Sequence, residues 1–161
     1  MNIYHLFWKK LSGLFPWGHI HTEPFHGTIP RQSVFIREVD CGSSNAEEIE
    51  IAALFNPVYD LERFGFHLVE TPRQADVLLL TGPFTRSMAA AALAAFRAMP
   101  DPHWVVTIGD GFSDKNLFQG SYAIIPLPDE LVAARLVHIP GNPPGPQAIL
   151  ETLTRITFKG V

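Results

Sequence analysis

The strongest constraint on what this chain can fold into is a pair of apolar runs, DVLLLT (76–81) and HWVVTI (103–108), with an alanine-dense stretch between them. A continuous apolar run of that length, bounded by turn residues, reads as a strand covered on both faces. Gly82-Pro83 turns the chain after the first run, and the stretch near Arg86–Met99 is dense in alanine, the best helix former. The same alternation extends in both directions. Ser33–Val39 and Phe66–Glu70 read as strands, and Leu136–Ile139 as another before Pro140-Gly141. A helix is predicted from about Ala46 to Phe55, with Ser44 or Asn45 as N-cap, Glu47 and Glu48 in its first turn, and Pro57 beyond its end. A terminal helix is predicted from about Gln147 to Thr157. Strands alternating with helices imply parallel βαβ units, so the expected class is α/β: a doubly wound, mainly parallel, flavodoxin-like sheet flanked by helices.

The 161 residues suit one compact domain, and 47% hydrophobic content is enough for a real core. That composition excludes disorder and collagen-like repetition. Twelve basic against 16 acidic residues leave a net charge of −4, so no broad basic face for nucleic acid is expected. The single cysteine, Cys41, forbids an internal disulfide and a self-sufficient thiolate metal cage, and it fits a reducing compartment.

Residues 1–32 read differently from 33–161. In NIYHLFWKKLSGLFPW (2–17), Ile3, Phe7, Leu11 and Leu14 share one helical face beside Tyr4, Trp8 and Phe15, with Lys9 and Lys10 mostly opposite. Aromatic and aliphatic bulk facing away from lysines is the pattern of a helix in a membrane interface or on a partner subunit. The lysines interrupt the apolar run and no small-residue cleavage site follows, so a secretory signal is not expected. No run is long enough to cross a bilayer. Residues 18–32, rich in Gly, Pro and His, read as a linker or extended arm.

In an open parallel sheet, ligands bind outside the carboxyl ends of the strands. The loops that fall there are Cys41–Glu47, Gly82–Arg86, Gly109–Phe118 and Pro140–Pro146, and all carry Gly or Pro beside polar groups. Ordinary turns need the same residues, so position alone does not separate a site from a turn. His19, His21 and His26 lack a fixed i, i+4 frame and read as solvated or interfacial rather than as metal ligands. Asp110 and Asp114 are a loop pair without further cation ligands. No nucleotide-binding glycine motif occurs, and Ser44 has no neighbouring His to mark it as a nucleophile.

Four strings carry a resemblance: VDCGSSNAEEIEI (39–51), YDLERFGFHLVETPRQADVLLLTGPFTRSMA (59–89), WVVTIGDG (104–111) and HIPGNPPGPQAIL (138–150). Together they resemble, in order over roughly 33–151, the NADH:quinone oxidoreductase 20 kDa subunit and the small subunit of membrane-bound [NiFe] hydrogenases. The VDCG ahead of the helix is closer to the formate-hydrogenlyase-type hydrogenase branch than to complex I. The resemblance implies a subunit in which four cysteines hold a [4Fe–4S] cluster that exchanges electrons with a site in a large subunit. Those four positions fall here on Ser44, Glu47, Gly111 and Asn142, none of which supplies a thiolate. Cys41 matches an extra cysteine ahead of the ligand pair, not a ligand position. Glu50 matches an acidic position near the large-subunit contact, and Arg86 lies in a loop that faces that subunit in the family.

The expectation is therefore a subunit without cofactor, cluster, metal or catalytic residue of its own. It would hold a hydrogenase-like or complex-I-like assembly together at the cytoplasmic face of the membrane, as a peripheral protein. Its expected partners are a large subunit, met through Glu50 and Arg86, integral membrane subunits, and the membrane surface, met through Phe7 and Trp8. Two alternatives stand beside it. One is electron transfer through an atypically ligated cluster. The other is small-molecule binding where Ser44, Glu47 and Asn142 converge as a polar pocket.

Overall fold

A computed structural model describes residues 27, 29–30, 33–113 and 116–158 of the chain. Five strands form one sheet: β1 (Val34–Asp40), β2 (Phe66–Leu68), β3 (Val77–Thr81), β4 (Trp104–Ile108) and β5 (Arg135–Ile139). Their order is β2-β1-β3-β4-β5, and every pairing is parallel. This is the flavodoxin-like order, in which the chain reverses its direction of winding between β1 and β3. The expected class holds, and the named strands are wholly parallel.

The run at 76–81 explains the layers. All of β3 is buried, and its side chains alternate between two cores. Val77 and Leu79 join Ile36, Val106 and Ile139 under α1 (Ala46–Ala53) and the terminal helix Pro146–Phe158. Leu78 and Leu80 join Val105 and the opposite layer, where Ala92 and Phe96 of α2 (Ala89–Arg97) and Leu131 of α3 (Asp129–Ala133) pack. The terminal helix, after α3, is α4. Ile29 is fully buried in the first core, and its N–H donates to the Ile156 carbonyl of α4. Ile29, within the segment read as an arm at 18–32, is thus part of the core.

Element ends differ by a few residues from the sequence expectation, for identifiable reasons. The helix expected from Arg86 begins at Ala89. Thr85 donates both its N–H and its hydroxyl to the Cys41 carbonyl, and the Arg86 N–H goes to Ala123, so these residues are held outside the helix. The helix α1 begins after Asn45, which adopts a left-handed conformation and makes no side-chain cap. The short α3 was not anticipated, although Pro128, Asp129 and Glu130 are ordinary helix-start residues.

Candidate functional site

Parallel pairing puts all strand carboxyl ends at one edge, so the loops after β1, β3, β4 and β5 must meet there. At the end of β1, Asp40 Oδ1 accepts the N–H groups of Gly42 and Ser43, both at 2.7 Å, which folds the chain back towards α1. The Ser43 hydroxyl then donates to Glu48 Oε2 and accepts the Asn45 N–H at 3.0 Å. The fully buried hydroxyl of Thr81, at the end of β3, donates to the other oxygen of Glu48. One carboxylate in the first turn of α1 therefore ties two strand ends together, where the helix N-terminus also favours negative charge.

The glycines in these loops are set by close approach. A Cβ on Gly82, which has φ +68°, would lie 2.3 Å from the Ser43 nitrogen, so the loop after β3 passes directly over the loop after β1. A Cβ on Gly111 would lie 2.3 Å from the Pro83 nitrogen and 2.6 Å from the Gly82 carbonyl carbon. A Cβ on Gly109 would lie 2.6 Å from Glu47 Oε1. The last loop is fastened to the same place: Asp110 Oδ1 accepts the Gly141 N–H at 2.8 Å, and the Asp110 N–H donates to the Gly141 carbonyl at 2.8 Å.

The four residues that the resemblance sets at cluster-ligand positions are not equivalent in the structure. Glu47 is buried, 4% exposed, with Oε2 lacking a hydrogen-bond partner. Gly111 is pressed against the Gly82-Pro83 turn. Ser44 and Asn142 are exposed on their loops. The polar pocket expected from Ser44, Glu47 and Asn142 is thus divided between one buried and two exposed side chains. Cys41 is fully buried in the second core with its thiol 3.6 Å from the Val39 carbonyl oxygen. Burial, reinforced by Asp40 and Glu38, pushes that thiol up to about 12, so it stays protonated and a poor ligand. A [4Fe–4S] cluster requires thiolates or their rare His substitutes, and this donor set does not fit one. Among the described residues, no group of three or more His, Cys, Asp or Glu is placed to hold a metal ion.

The electrostatics at this edge are acidic. Burial raises the Glu47 carboxyl above its ordinary value, a hydrogen bond from its own backbone amide opposes the rise, and Glu48, Asp40 and Asp110 add to it. Burial also raises Glu38 on β1, with Glu48 and Asp40 contributing, while Arg37 and Thr81 oppose the shift. A groove of about 220 Å³ opens behind this cluster, lined by Arg37, Glu38, Glu48 and Glu70 among others. It falls below the roughly 300–1,000 Å³ of small-molecule pockets.

Arg86 is exposed, and its Nε donates to the Tyr122 carbonyl at 3.3 Å; Glu50 is half-buried. Sequence reasoning did not pick out Leu117, Phe118 and Tyr122, which stand 87%, 59% and 89% exposed on the excursion between β4 and α3. It also assigned Glu48 to the helix terminus alone, whereas Glu48 joins that terminus to Ser43 and Thr81. The signal was present only in part: Asp40 before Cys-Gly-Ser marks a turn, but nothing in the string links Thr81 to Glu48. Phe7, Trp8, His19, His21, His26 and Asp114 lie outside the described residues.

These features define a flavodoxin-like α/β subunit whose strand-end loops close into one acidic edge. The chain belongs to the family of the NADH ubiquinone oxidoreductase 20 kDa subunit, which it matches over residues 44–156. It is 41% identical over 120 residues to formate hydrogenlyase subunit 7 of Escherichia coli, covering 74% of this chain and 47% of that protein. The chain thus spans about half the length of that relative. It is 40% identical over 121 residues to the probable membrane-bound hydrogenase subunit mbhJ of Pyrococcus furiosus, covering 74% of this chain and 71% of that one. Among solved structures, it is similar to a chain of the archaeal membrane-bound sulfane sulfur reductase, a respiratory membrane complex. There the TM-score is 0.63 and the identity 26%, over 80% of this chain and 72% of the other. No helix among the described residues is long and apolar enough to cross a membrane.

Proposed function

We propose that this chain is a non-redox structural and coupling subunit of a membrane-associated hydrogenase-like or complex-I-like assembly. It docks a large subunit onto membrane subunits and carries no [4Fe–4S] cluster of its own. The observation that carries the reading is Gly111. The family places a cluster cysteine there, yet this backbone has no room even for a Cβ against Pro83. Ser44, Glu47 and Asn142 offer oxygen in place of thiolate at the other three positions, while the strings around all four positions keep the family pattern.

Docking is supported by the exposed Leu117, Phe118 and Tyr122, with Arg86 tied to the backbone of Tyr122. Large apolar side chains exposed close together are the usual mark of an interaction surface. In this reading Arg86 and Glu50 meet the large subunit, and Phe7 and Trp8 of the arm at 1–32 meet the membrane surface or membrane subunits. The chain then sits peripherally at the cytoplasmic face.

The test is iron and acid-labile sulfide content, with low-temperature EPR after reduction, on the anaerobically purified native complex, counting partner clusters separately. The expected result is no iron and no signal attributable to this subunit. About four irons in this chain, with a spectrum lost on altering Ser44 or Asn142, would restore an electron-relay function and overturn the proposal.

A further inference from the structure

The strand β1 is longer than the neighbour that covers its outer edge. It runs from Val34 to Asp40, whereas β2 pairs only with Val34–Ile36 and ends at Leu68. In a parallel ladder the N–H and C=O of one residue point to the same side, and successive residues alternate sides. The Val34 N–H donates to Gly65 and the Ile36 carbonyl accepts from Val69, so the even-numbered residues of β1 face β2. The Phe35 carbonyl accepts from Asp76 and the Cys41 N–H donates to Thr81, so the odd-numbered ones face β3. Glu38 and Asp40 therefore aim their backbone groups to the β2 side after β2 has ended. Among the described residues, no backbone hydrogen bond reaches them there.

The groove of about 220 Å³ opens at this edge. Glu48 and Ile51 line it from α1, Leu68 and Val69 from the end of β2, and Glu38 from β1 itself. Leu68 is 45% exposed. An unpaired strand edge beside exposed apolar surface is the arrangement that takes an added strand from another chain. The open stretch from Glu38 to Asp40 is about 7 Å long at the usual strand rise, room for two or three residues.

Charge selects the kind of segment. Burial raises the Glu38 carboxyl, and Glu48 and Asp40 add to the rise, while Arg37 and the Thr81 hydroxyl oppose it. Arg37 also lies 3.8 Å from Glu70, so the cation lining the groove is shared with a further carboxylate. A positively charged side chain entering beside Glu38 would meet an excess of negative charge.

We infer that this edge is a docking site for an extended segment of a partner protein, which adds to β1 beyond β2 and carries a lysine or arginine on the side facing α1. Its backbone pairs with Glu38 and Asp40, and its basic side chain lies against Glu38 and Glu48. The residues flanking that side chain turn to the opposite face, where Val39 and Val69 border the second core. None of these residues belongs to the surface formed by Arg86, Leu117, Phe118 and Tyr122.

The test is a titration of the nitrogen-15-labelled full chain with the tripeptide acetyl-Val-Arg-Val-amide, followed by amide NMR shifts. Saturating shifts at Glu38, Asp40, Leu68 and Val69 are expected below about 10 mM peptide. Replacing the arginine by neutral citrulline should weaken binding about tenfold, and Glu38→Gln should weaken the arginine peptide similarly. A peptide N-methylated at every amide should give no shifts, because it has lost the donors that a strand edge requires. The two peptide controls leave the protein unchanged, so the answer does not depend on how the Gln variant folds. No shifts along β1, shifts confined to other surfaces, or equal binding of the citrulline peptide would overturn the proposal. The inference goes beyond the cluster-free reading, and iron analysis and peptide titration can fail independently.

Discussion

Gly111 and Pro83 are in backbone contact: a Cβ built on Gly111 would lie 2.3 Å from the Pro83 nitrogen. The loop after β4 therefore lies directly on the turn after β3. The contact is with backbone rather than with the far end of a flexible side chain, so accommodation requires the loop itself to move.

Gly111→Ala is expected to destabilise the chain by about 1–3 kcal/mol, the usual cost of forcing atoms into a filled site. Urea denaturation checks this. Wild-type stability in that variant would mean that the Gly82-Pro83 turn yields without cost, and the main argument against a cysteine at 111 would be gone.

Glu48 accepts hydroxyl hydrogen bonds from Ser43 and Thr81 and so joins the ends of β1 and β3 to α1. Thr81 is fully buried, so removing Glu48 takes away the acceptor that joins it to α1 and leaves its hydroxyl only the Glu38 carboxyl. Glu48→Ala should cost about 2 kcal/mol or more, since a hydrogen bond to a charged group contributes about 1.5–3 kcal/mol. Pairing it with Thr81→Val in a double-mutant cycle should give a coupling energy of at least about 0.5 kcal/mol. Strict additivity would show that the two groups do not act together.

Cys41 is buried with its thiol pushed up to about 12. Alkylation goes through the thiolate, so the native chain should resist iodoacetamide at neutral pH and react only after unfolding in denaturant. Rapid labelling of the folded chain, followed by mass spectrometry, would show that the loop after β1 opens readily. The thiol would then have to be reconsidered as a ligand.

Much of the fold was legible because parallel strands buried on both faces leave a local trace. DVLLLT can only be apolar throughout if Val77 and Leu79 serve one core while Leu78 and Leu80 serve the other, and that is how they divide. Boundaries were less legible where a side chain works at a distance. Thr85 binds the Cys41 carbonyl across 44 positions of sequence and so delays α2, and no helix propensity encodes that bond. The exposed Leu117, Phe118 and Tyr122 were missed for a related reason, since exposure of an apolar residue is a property of the surrounding surface.

The acidic edge shows the same division. The string alone determined that one thiol is available and that carboxylates crowd the start of α1. These are matters of residue identity and spacing along one chain. Only the tertiary structure decided that Glu47 is buried while Ser44 and Asn142 are exposed, that Gly111 has no room for a Cβ, and that Glu48 rather than Glu47 receives the hydroxyls. Those outcomes depend on how four loops, separated by tens of residues, stack at one end of a parallel sheet. Desolvation and hydrogen bonding are set by that stacking, and neighbouring carboxylates of identical chemistry meet opposite fates because of it.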